Sequence, residues 1–113
     1  MKTIEQIGLT PLQKKALGEI KEQLEKSFRI ESITLYGSVS RGEADLESDI
    51  DLLIITEEFL YRETRHQITD IVFEINLKYN TNFSTLVLDK KNWEGVYSVL
   101  PLKTEILRDG VIL

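Results

Sequence analysis

Hydrophobic residues recur at helical spacing in two long segments of the chain. In residues 11–28 they stand at every fourth position, and these residues are expected to face a core: Leu12, Ala16, Ile20, Leu24 and Phe28. Thr10 stands before Pro11 and three residues before Gln13, which is the pattern of a capping box at a helix start. A second stripe in residues 57–79 comprises Leu60, Thr64, Ile68, Ile71, Val72, Ile75 and Tyr79. Both segments are predicted to be amphipathic helices.

Short apolar runs outside these helices predict strands. Three of them stand at residues 33–36, 49–55 and 83–88, and each is rich in Ile, Leu, Val or aromatic residues. Between the first two strands, residues 38–44 have room only for a short helix and residues 45–48 for a loop.

The C-terminal part of the chain is divided by residues that end helices. Asn80-Thr81-Asn82 is predicted to end the second helix, and Asp89 to cap a further helix that stops before Pro101. A last helical turn is expected at residues 102–107, and residues 111–113 are left as a terminal strand or an extended tail. The predicted order of elements is αβαβαβα.

Composition limits the class of protein. The 113 residues are predicted to form a single domain, residues 1–113, with a modest core. The chain has no cysteine, which excludes a disulfide framework and a thiolate metal site. Residues 1–9 have no apolar segment of signal-peptide length, and the longest purely apolar run, residues 52–55, is too short to cross a bilayer. We therefore expect a cytoplasmic protein without a membrane partner.

The charge distribution argues against nucleic-acid binding. The net charge is −5, and basic residues occur only singly or in pairs such as Lys14-Lys15 and Lys90-Lys91. Proteins that hold a phosphate backbone usually cluster Lys and Arg on one face. These lysines are predicted to be solvated surface residues, and nucleic acid is not an expected partner.

The strongest chemical signal is Gly37-Ser38 followed, after ten intervening residues, by Asp49-x-Asp51 at the start of a strand. Alternate side chains of a strand share a face, so both carboxylates are expected to project together. Their repulsion is relieved by a divalent cation, and hard oxygen ligands favour Mg²⁺ or Mn²⁺. A glycine turn with the Ser38 hydroxyl suits phosphate, because backbone can approach the ligand closely. The pattern predicts a nucleotide site; the alternative is a solvent-facing Asp pair without a ligand.

Together with Arg41-Gly42 and Ser48, this pattern resembles the signature of the DNA polymerase beta-like nucleotidyltransferase superfamily, and the short chain resembles its minimal nucleotidyltransferase (MNT) branch. The resemblance implies an α/β (α+β) fold in which a small mixed sheet is flanked by helices. It also implies Mg²⁺- or Mn²⁺-dependent transfer of a nucleoside monophosphate, expected to be AMP from ATP, to a hydroxyl group. Pyrophosphate would be the second product.

The same resemblance assigns roles to particular residues. Asp49 and Asp51 are expected to be the catalytic pair and to hold the metal. The nucleotide is expected to be bound by Gly37, Ser38 and Arg41. For Arg41 the residues alone leave an alternative open, because its guanidinium could equally clamp a carboxylate within residues 45–51.

A protein partner is also implied by the resemblance alone. Many MNT proteins are encoded beside a helical HEPN protein of the toxin type and neutralise it by complex formation, by AMP transfer, or by both. This leaves two hypotheses: an enzyme whose acceptor hydroxyl lies on a partner protein, and a catalytically weakened, nucleotide-binding antitoxin-like subunit that acts by complex formation. A homo-oligomer and a hetero-oligomer are both compatible with the sequence.

One departure from the family pattern bears on activity. Active members usually carry a third carboxylate in the third core strand, facing the Asp pair, and Ser84 is expected at that position here. A serine hydroxyl is a weak base and a poor ligand for Mg²⁺. Asp89 lies an odd number of residues away, so strand alternation points it to the opposite face. Asp70 and Glu74 could reach the site only if their helix turned one face toward it.

Three further residues have plain structural interpretations. Ser48 could orient Asp49, or it could be an ordinary residue at a loop–strand junction. His66 is the only histidine and is predicted to be a solvated surface residue. Trp93 is predicted to belong to the core or to an interface, rather than to stack on a base.

Overall fold

The computed structural model describes residues 7–37 and 49–113. Within these residues the helices and strands follow one another as α1 (Pro11–Ser27), β1 (Ile30–Tyr36), β2 (Ile50–Thr56), α2 (Arg62–Tyr79), β3 (Phe83–Asp89), α3 (Lys90–Glu94), α4 (Pro101–Asp109) and β4 (Val111–Ile112). A 3₁₀ turn at Val96–Val99 separates α3 from α4. The predicted short helix at residues 38–44 and the loop at residues 45–48 lie outside the described residues.

The strands form one mixed sheet in the order β3-β2-β1-β4. β1 runs antiparallel to both β2 and β4, whereas β2 and β3 are parallel. A parallel pair needs a crossover connection, and α2 supplies it. The predicted fold class, a small mixed sheet flanked by helices, is confirmed. The terminal residues also form a strand, because Val111 and Ile112 pair with Leu35 and Thr34.

The two faces of the sheet are covered by different helices. Side chains at even positions of β2, among them Leu52, belong to the larger core cluster with buried residues of α1 and α2. Side chains at odd positions, Leu53 and Ile55, pack with Ile106 of α4 and with Trp93. A residue at an odd position of β2 therefore faces away from α1 and α2.

The start of α1 agrees with the prediction in atomic detail. The Gln13 backbone N–H donates to Thr10 Oγ1 at 3.1 Å, and the Thr10 backbone N–H donates to Gln13 Oε1 at 2.8 Å. The expectation that Leu12 faces the core is wrong, since it is 55% exposed, and Leu17 is buried instead. Steps of four residues advance 400° around a helix of 3.6 residues per turn, so the ends of a long four-residue series rotate away from the core.

Two other helix boundaries differ from the prediction. α2 begins at Arg62 rather than at residue 57, because the chain leaves β2 through a turn in which Thr56 Oγ1 donates to the Glu58 carbonyl at 2.7 Å. Asp89 caps α3 as predicted, since its carboxylate accepts from the Asn92 backbone N–H at 3.1 Å. The predicted helix up to Pro101 is nevertheless interrupted at Gly95, a residue with low helix propensity. The last helical turn is longer than predicted and forms α4.

None of the helices in residues 7–37 and 49–113 has both the length and the apolar composition needed to cross a membrane.

Candidate functional site

Three neighbouring strands place Tyr36, Asp51 and Ser84 side by side. Asp51 of β2 is directly opposite Tyr36 of β1 and directly opposite Ser84 of β3. The Ser84 hydroxyl donates to Asp51 Oδ1 at 2.8 Å. Residues in register on neighbouring strands share a face, and Leu53, two positions after Asp51, lies on the face away from α1 and α2. This row is the centre of the candidate site.

The second carboxylate of the predicted pair has its own partner on the neighbouring segment. Asp49 stands immediately before β2 and is exposed, and the Asn82 side-chain amide donates to its Oδ1 atom. The Ile50 backbone N–H donates to the Asn82 carbonyl at 2.9 Å, which holds the two segments together. Asn82 precedes Ser84 by two positions, as Asp49 precedes Asp51. The two side-chain contacts therefore repeat along the parallel strands.

The glycine at the end of β1 comes unusually close to the Asp51 carboxylate. Gly37 has a φ angle of +85°, which side chains of L-residues rarely allow. A β-carbon at this position would stand 2.6 Å from Asp51 Oδ2. Gly37 and the Asp51 carboxylate thus form one compact unit that depends on the absence of a side chain at residue 37.

Tyr36 gives the row a neutral polar group beside the carboxylate. Burial raises the pKa of the Tyr36 phenol above its ordinary value of 10.0, and the negative charge of Asp51 raises it further. Both causes disfavour the phenolate, so the hydroxyl keeps its proton at neutral pH.

The donor set of the site suits a hard divalent cation. Asp49 and Asp51 offer carboxylate oxygens, and among residues 7–37 and 49–113 no group of three or more His, Cys, Asp or Glu side chains is placed to hold a metal. Mg²⁺ is commonly held by one or two carboxylates and completes its coordination with waters and substrate phosphates. Two carboxylates therefore fit a Mg²⁺ or Mn²⁺ that takes its remaining ligands from water or phosphate.

Several predicted candidates lie elsewhere or outside the described part of the chain. Ser38, Arg41 and Ser48 belong to residues 38–48, which are not described. Asp70 and Glu74 are exposed on α2. That helix buries its Ile68, Val72 and Ile75 side chains against the face of the sheet opposite to Asp51.

Three further candidates make no contact with the site residues in the structure as described. They are Asp89, His66 and Trp93. The Asp89 carboxylate is engaged by Asn92 at the start of α3. His66 is exposed on α2. Trp93 packs on the face of the sheet that points away from α1 and α2. The Lys103 ammonium lies 5.1 Å from the centre of the Trp93 ring.

Sequence reasoning missed two members of the site. The sequence predicts Asn82 only as a helix-ending residue and Tyr36 only as the end of a strand. The signal for Asn82 is the matched spacing of Asn82–Ser84 and Asp49–Asp51, but it becomes visible only once β2 and β3 are known to be parallel and in register.

Residues 17–107 match the sequence model of a protein family that is described as a nucleotidyltransferase domain. A relative from Methanocaldococcus jannaschii, named provisionally as a protein adenylyltransferase, is 33% identical over 97 residues, which cover 78% of this chain and 91% of that protein. Against further relatives of the same description from that organism, the matched part of the chain spans only 52–63% of their length.

Several solved structures share the fold, and two complexes are among them. A chain in the crystal structure of a toxin–antitoxin complex with AMP-PNP superimposes with a TM-score of 0.59 at 19% identity, covering 84% of this chain and 69% of that one. A chain in the structure of the tri-AMPylated Shewanella oneidensis HEPN toxin in complex with MNT antitoxin gives a TM-score of 0.55 at 16% identity, covering 88% of this chain and 69% of that one. At these identities the likeness concerns the fold.

Proposed function

The chain belongs to the nucleotidyltransferase domain family, and we propose on that premise that it transfers AMP from ATP to a hydroxyl group on a partner protein. One observation carries the proposal. The Asp51 carboxylate lies against the Gly37 turn, with a distance of only 2.6 Å from Asp51 Oδ2 to the place of a β-carbon at residue 37. A carboxylate able to hold a cation therefore lies beside the glycine at which the proposed phosphate-binding segment begins, which supports a joint site for a nucleotide and a cation.

Each residue of the site has a proposed role. Asp49 and Asp51 hold Mg²⁺ or Mn²⁺ through carboxylate oxygens. The phosphates of ATP lie along the Gly37 turn and are bound by Ser38 and Arg41. When bound, the cation offsets the negative charge that develops at the α-phosphate and on the leaving group.

The reaction exchanges one phosphorus–oxygen bond for another. The acceptor hydroxyl oxygen forms a bond to the α-phosphorus, and the bond from that phosphorus to the bridging oxygen of the β-phosphate breaks. AMP is left on the acceptor, pyrophosphate departs with the bonding electrons, and the hydroxyl proton passes to a base or to water. Ser84, the residue of β3 directly opposite Asp51, provides no carboxylate for that proton, and the described residues contain no group of three or more His, Cys, Asp or Glu side chains placed to hold a metal.

The nature of the partner is proposed from the neighbours. One structural neighbour is a toxin–antitoxin complex with AMP-PNP, and another contains an AMPylated HEPN toxin with an MNT antitoxin. They support ATP as the donor and a helical HEPN-type protein as the partner of this chain. A separate partner also suits a small domain that has little surface of its own for an acceptor.

A second candidate function is a nucleotide-binding, antitoxin-like subunit that neutralises such a partner by complex formation with little or no transfer. The observation in its favour is the neutral Ser84 beside Asp51. Under this alternative the site still binds ATP with a cation, but the hydroxyl of the acceptor is not deprotonated efficiently.

Two measurements test the proposal. Thermal unfolding with and without ATP and Mg²⁺ tests binding: nucleotide at a hundredfold excess over its dissociation constant should add about 2.7 kcal/mol to the free energy of unfolding. Incubation with α-labelled ATP, Mg²⁺ and the product of a neighbouring gene tests transfer. Label on the partner supports the enzyme. Stabilisation and complex formation without label favour the subunit, and no stabilisation at millimolar ATP contradicts both.

A further inference from the structure

We propose that Asn82 and Ser84 are positioning residues, which fix the carboxylates of Asp49 and Asp51 in the orientation that receives the cation. The inference rests on the proposed function, because it concerns the same metal site. It assigns a role to a segment at the start of β3 that contributes no charged side chain to the site.

The pairing of the two segments provides one donor for each carboxylate. Asn82 Nδ2 donates to Asp49 Oδ1, and Ser84 Oγ donates to Asp51 Oδ1 at 2.8 Å. Both donors are neutral. They orient the carboxylates without cancelling their charge, as partners of metal-binding side chains generally do.

The Asp51 contact distinguishes the two oxygens of that carboxylate. Oδ1 is held on the β3 side by Ser84, whereas Oδ2 points toward the Gly37 turn on the β1 side. The oxygen that faces the proposed phosphate-binding turn is therefore Oδ2. Without Ser84 the carboxylate could rotate, and this preference would be lost.

The donor segment is itself held in place by α2. Asn76 of α2 donates through Nδ2 to the Phe83 carbonyl at 2.9 Å and accepts through Oδ1 from the Phe83 backbone N–H at 2.9 Å. The same Oδ1 accepts from Thr81 Oγ1 at 3.0 Å. The residues on both sides of Asn82 are thus fixed, so its amide can act as a preorganised donor.

Metal affinity measured without turnover tests the proposal. Isothermal titration calorimetry with Mn²⁺, in the presence of a non-hydrolysable ATP analogue, would compare the wild type with Asn82→Ala and Ser84→Ala. Loss of a hydrogen-bond partner of a metal ligand typically weakens metal affinity about 10- to 100-fold, and we expect each variant to fall in that range. Ser84→Thr, which keeps the hydroxyl, should bind Mn²⁺ with most of the wild-type affinity.

A matched control lies on the same strand. Thr85 points to the opposite face and contacts Thr69 of α2 through its hydroxyl, so Thr85→Val removes a hydroxyl from β3 without touching the site. Wild-type affinity in both alanine variants would overturn the proposal, and so would an equal loss in Thr85→Val. A wild type that binds no Mn²⁺ would instead overturn the proposed function on which the inference rests.

Discussion

Gly37 and Asp51 depend on each other: the carboxylate occupies the space that a side chain at residue 37 would need. Asp51 Oδ2 would lie 2.6 Å from a β-carbon on Gly37, and the φ angle of +85° at Gly37 already disfavours any other residue. Gly37, whose conformation strongly favours glycine, and the Asp51 carboxylate beside it are therefore one structural unit. Substitution of either Gly37 or Asp51 should therefore alter the geometry of the site.

Gly37→Ala should disturb both the fold and the site. The positive φ angle costs about 1–3 kcal/mol for a residue with a β-carbon, and the added methyl group must also displace the Asp51 carboxylate. We expect a lower free energy of unfolding in urea and a weaker stabilisation by ATP with Mg²⁺.

Gly18→Ala is the matched control for this change. A β-carbon at Gly18 in α1 would meet no atom within 4 Å, so the substitution should stabilise the helix by about 0.5–1 kcal/mol and leave the ATP response unchanged. Equal ATP responses in Gly37→Ala and the wild type would contradict the assignment of the turn to the nucleotide.

Asp51→Asn should separate binding from folding. Asparagine has almost the same shape, and its amide oxygen can still accept from Ser84, while the repulsion from the Asp49 charge disappears. Its melting temperature without ligand should therefore equal or exceed that of the wild type, but ATP with Mg²⁺ should no longer raise it. A variant that unfolds without ligand would mean that the carboxylate is required for the fold itself.

Local patterns predicted the parts of this fold that local interactions determine. Thr10 and Gln13 form their capping box because both partners lie within one turn. Strand alternation likewise places Asp51 on the face of β2 that points away from α1 and α2. The family resemblance is confirmed by the matching family model. The roles of the site residues remain predictions.

What the sequence did not reveal depends on packing between distant segments. The partnership of Asn82 with Asp49 requires the parallel register of β2 and β3, two strands that the whole of α2 separates in the sequence. Leu12 differs from the prediction because the four-residue series runs beyond the buried residues of α1, which begin at Ala16. The apolar spacing does not predict the break at Gly95, because it continues through that residue.

The junction between α1 and α2 predicts a pH dependence of stability. Glu19 of α1 accepts from the Tyr79 hydroxyl and pairs with the Lys78 ammonium at 3.1 Å. The Tyr79 hydrogen bond, then the Lys78 contact, lowers the pKa of Glu19 below its ordinary value of 4.5. The stability that the carboxylate supplies is therefore complete above 4.5 and is lost as the pH falls through the lowered pKa.

Thermal melts of the wild type and Glu19→Gln across pH would measure this contribution. The wild type should melt higher at pH 7, and the difference should shrink in acid, below the ordinary pKa of 4.5. Glu22→Gln removes the same charge from α1 and serves as the control. A constant difference between wild type and Glu19→Gln at all pH values would exclude a role for the ionised carboxylate.

Ser84→Asp should reveal how much activity the missing carboxylate accounts for. Ser84 is directly opposite Asp51 and within hydrogen-bond distance of it, so an aspartate there would place a third carboxylate on the same face. This variant loses the hydroxyl donor, but the new carboxylate can hold the cation directly and so replaces the positioning role of Ser84. With Mg²⁺ bound the added charge is compensated and can assist removal of the acceptor proton. General-base assistance is worth about 10²–10⁴ in rate, and we expect a gain of that order in AMP transfer from labelled ATP.

The same variant should behave differently without metal. Three neighbouring carboxylates then repel one another, so Ser84→Asp should melt below the wild type in EDTA and gain more than the wild type when Mg²⁺ is added. Ser84→Asn, equal in size but neutral, should show neither effect. If the wild type already transfers AMP rapidly and Ser84→Asp is neutral or harmful, the base comes from another group. Asp70 and Glu74 lie on α2, which packs on the face of the sheet opposite to Asp51. The partner protein would then be the expected source of the base.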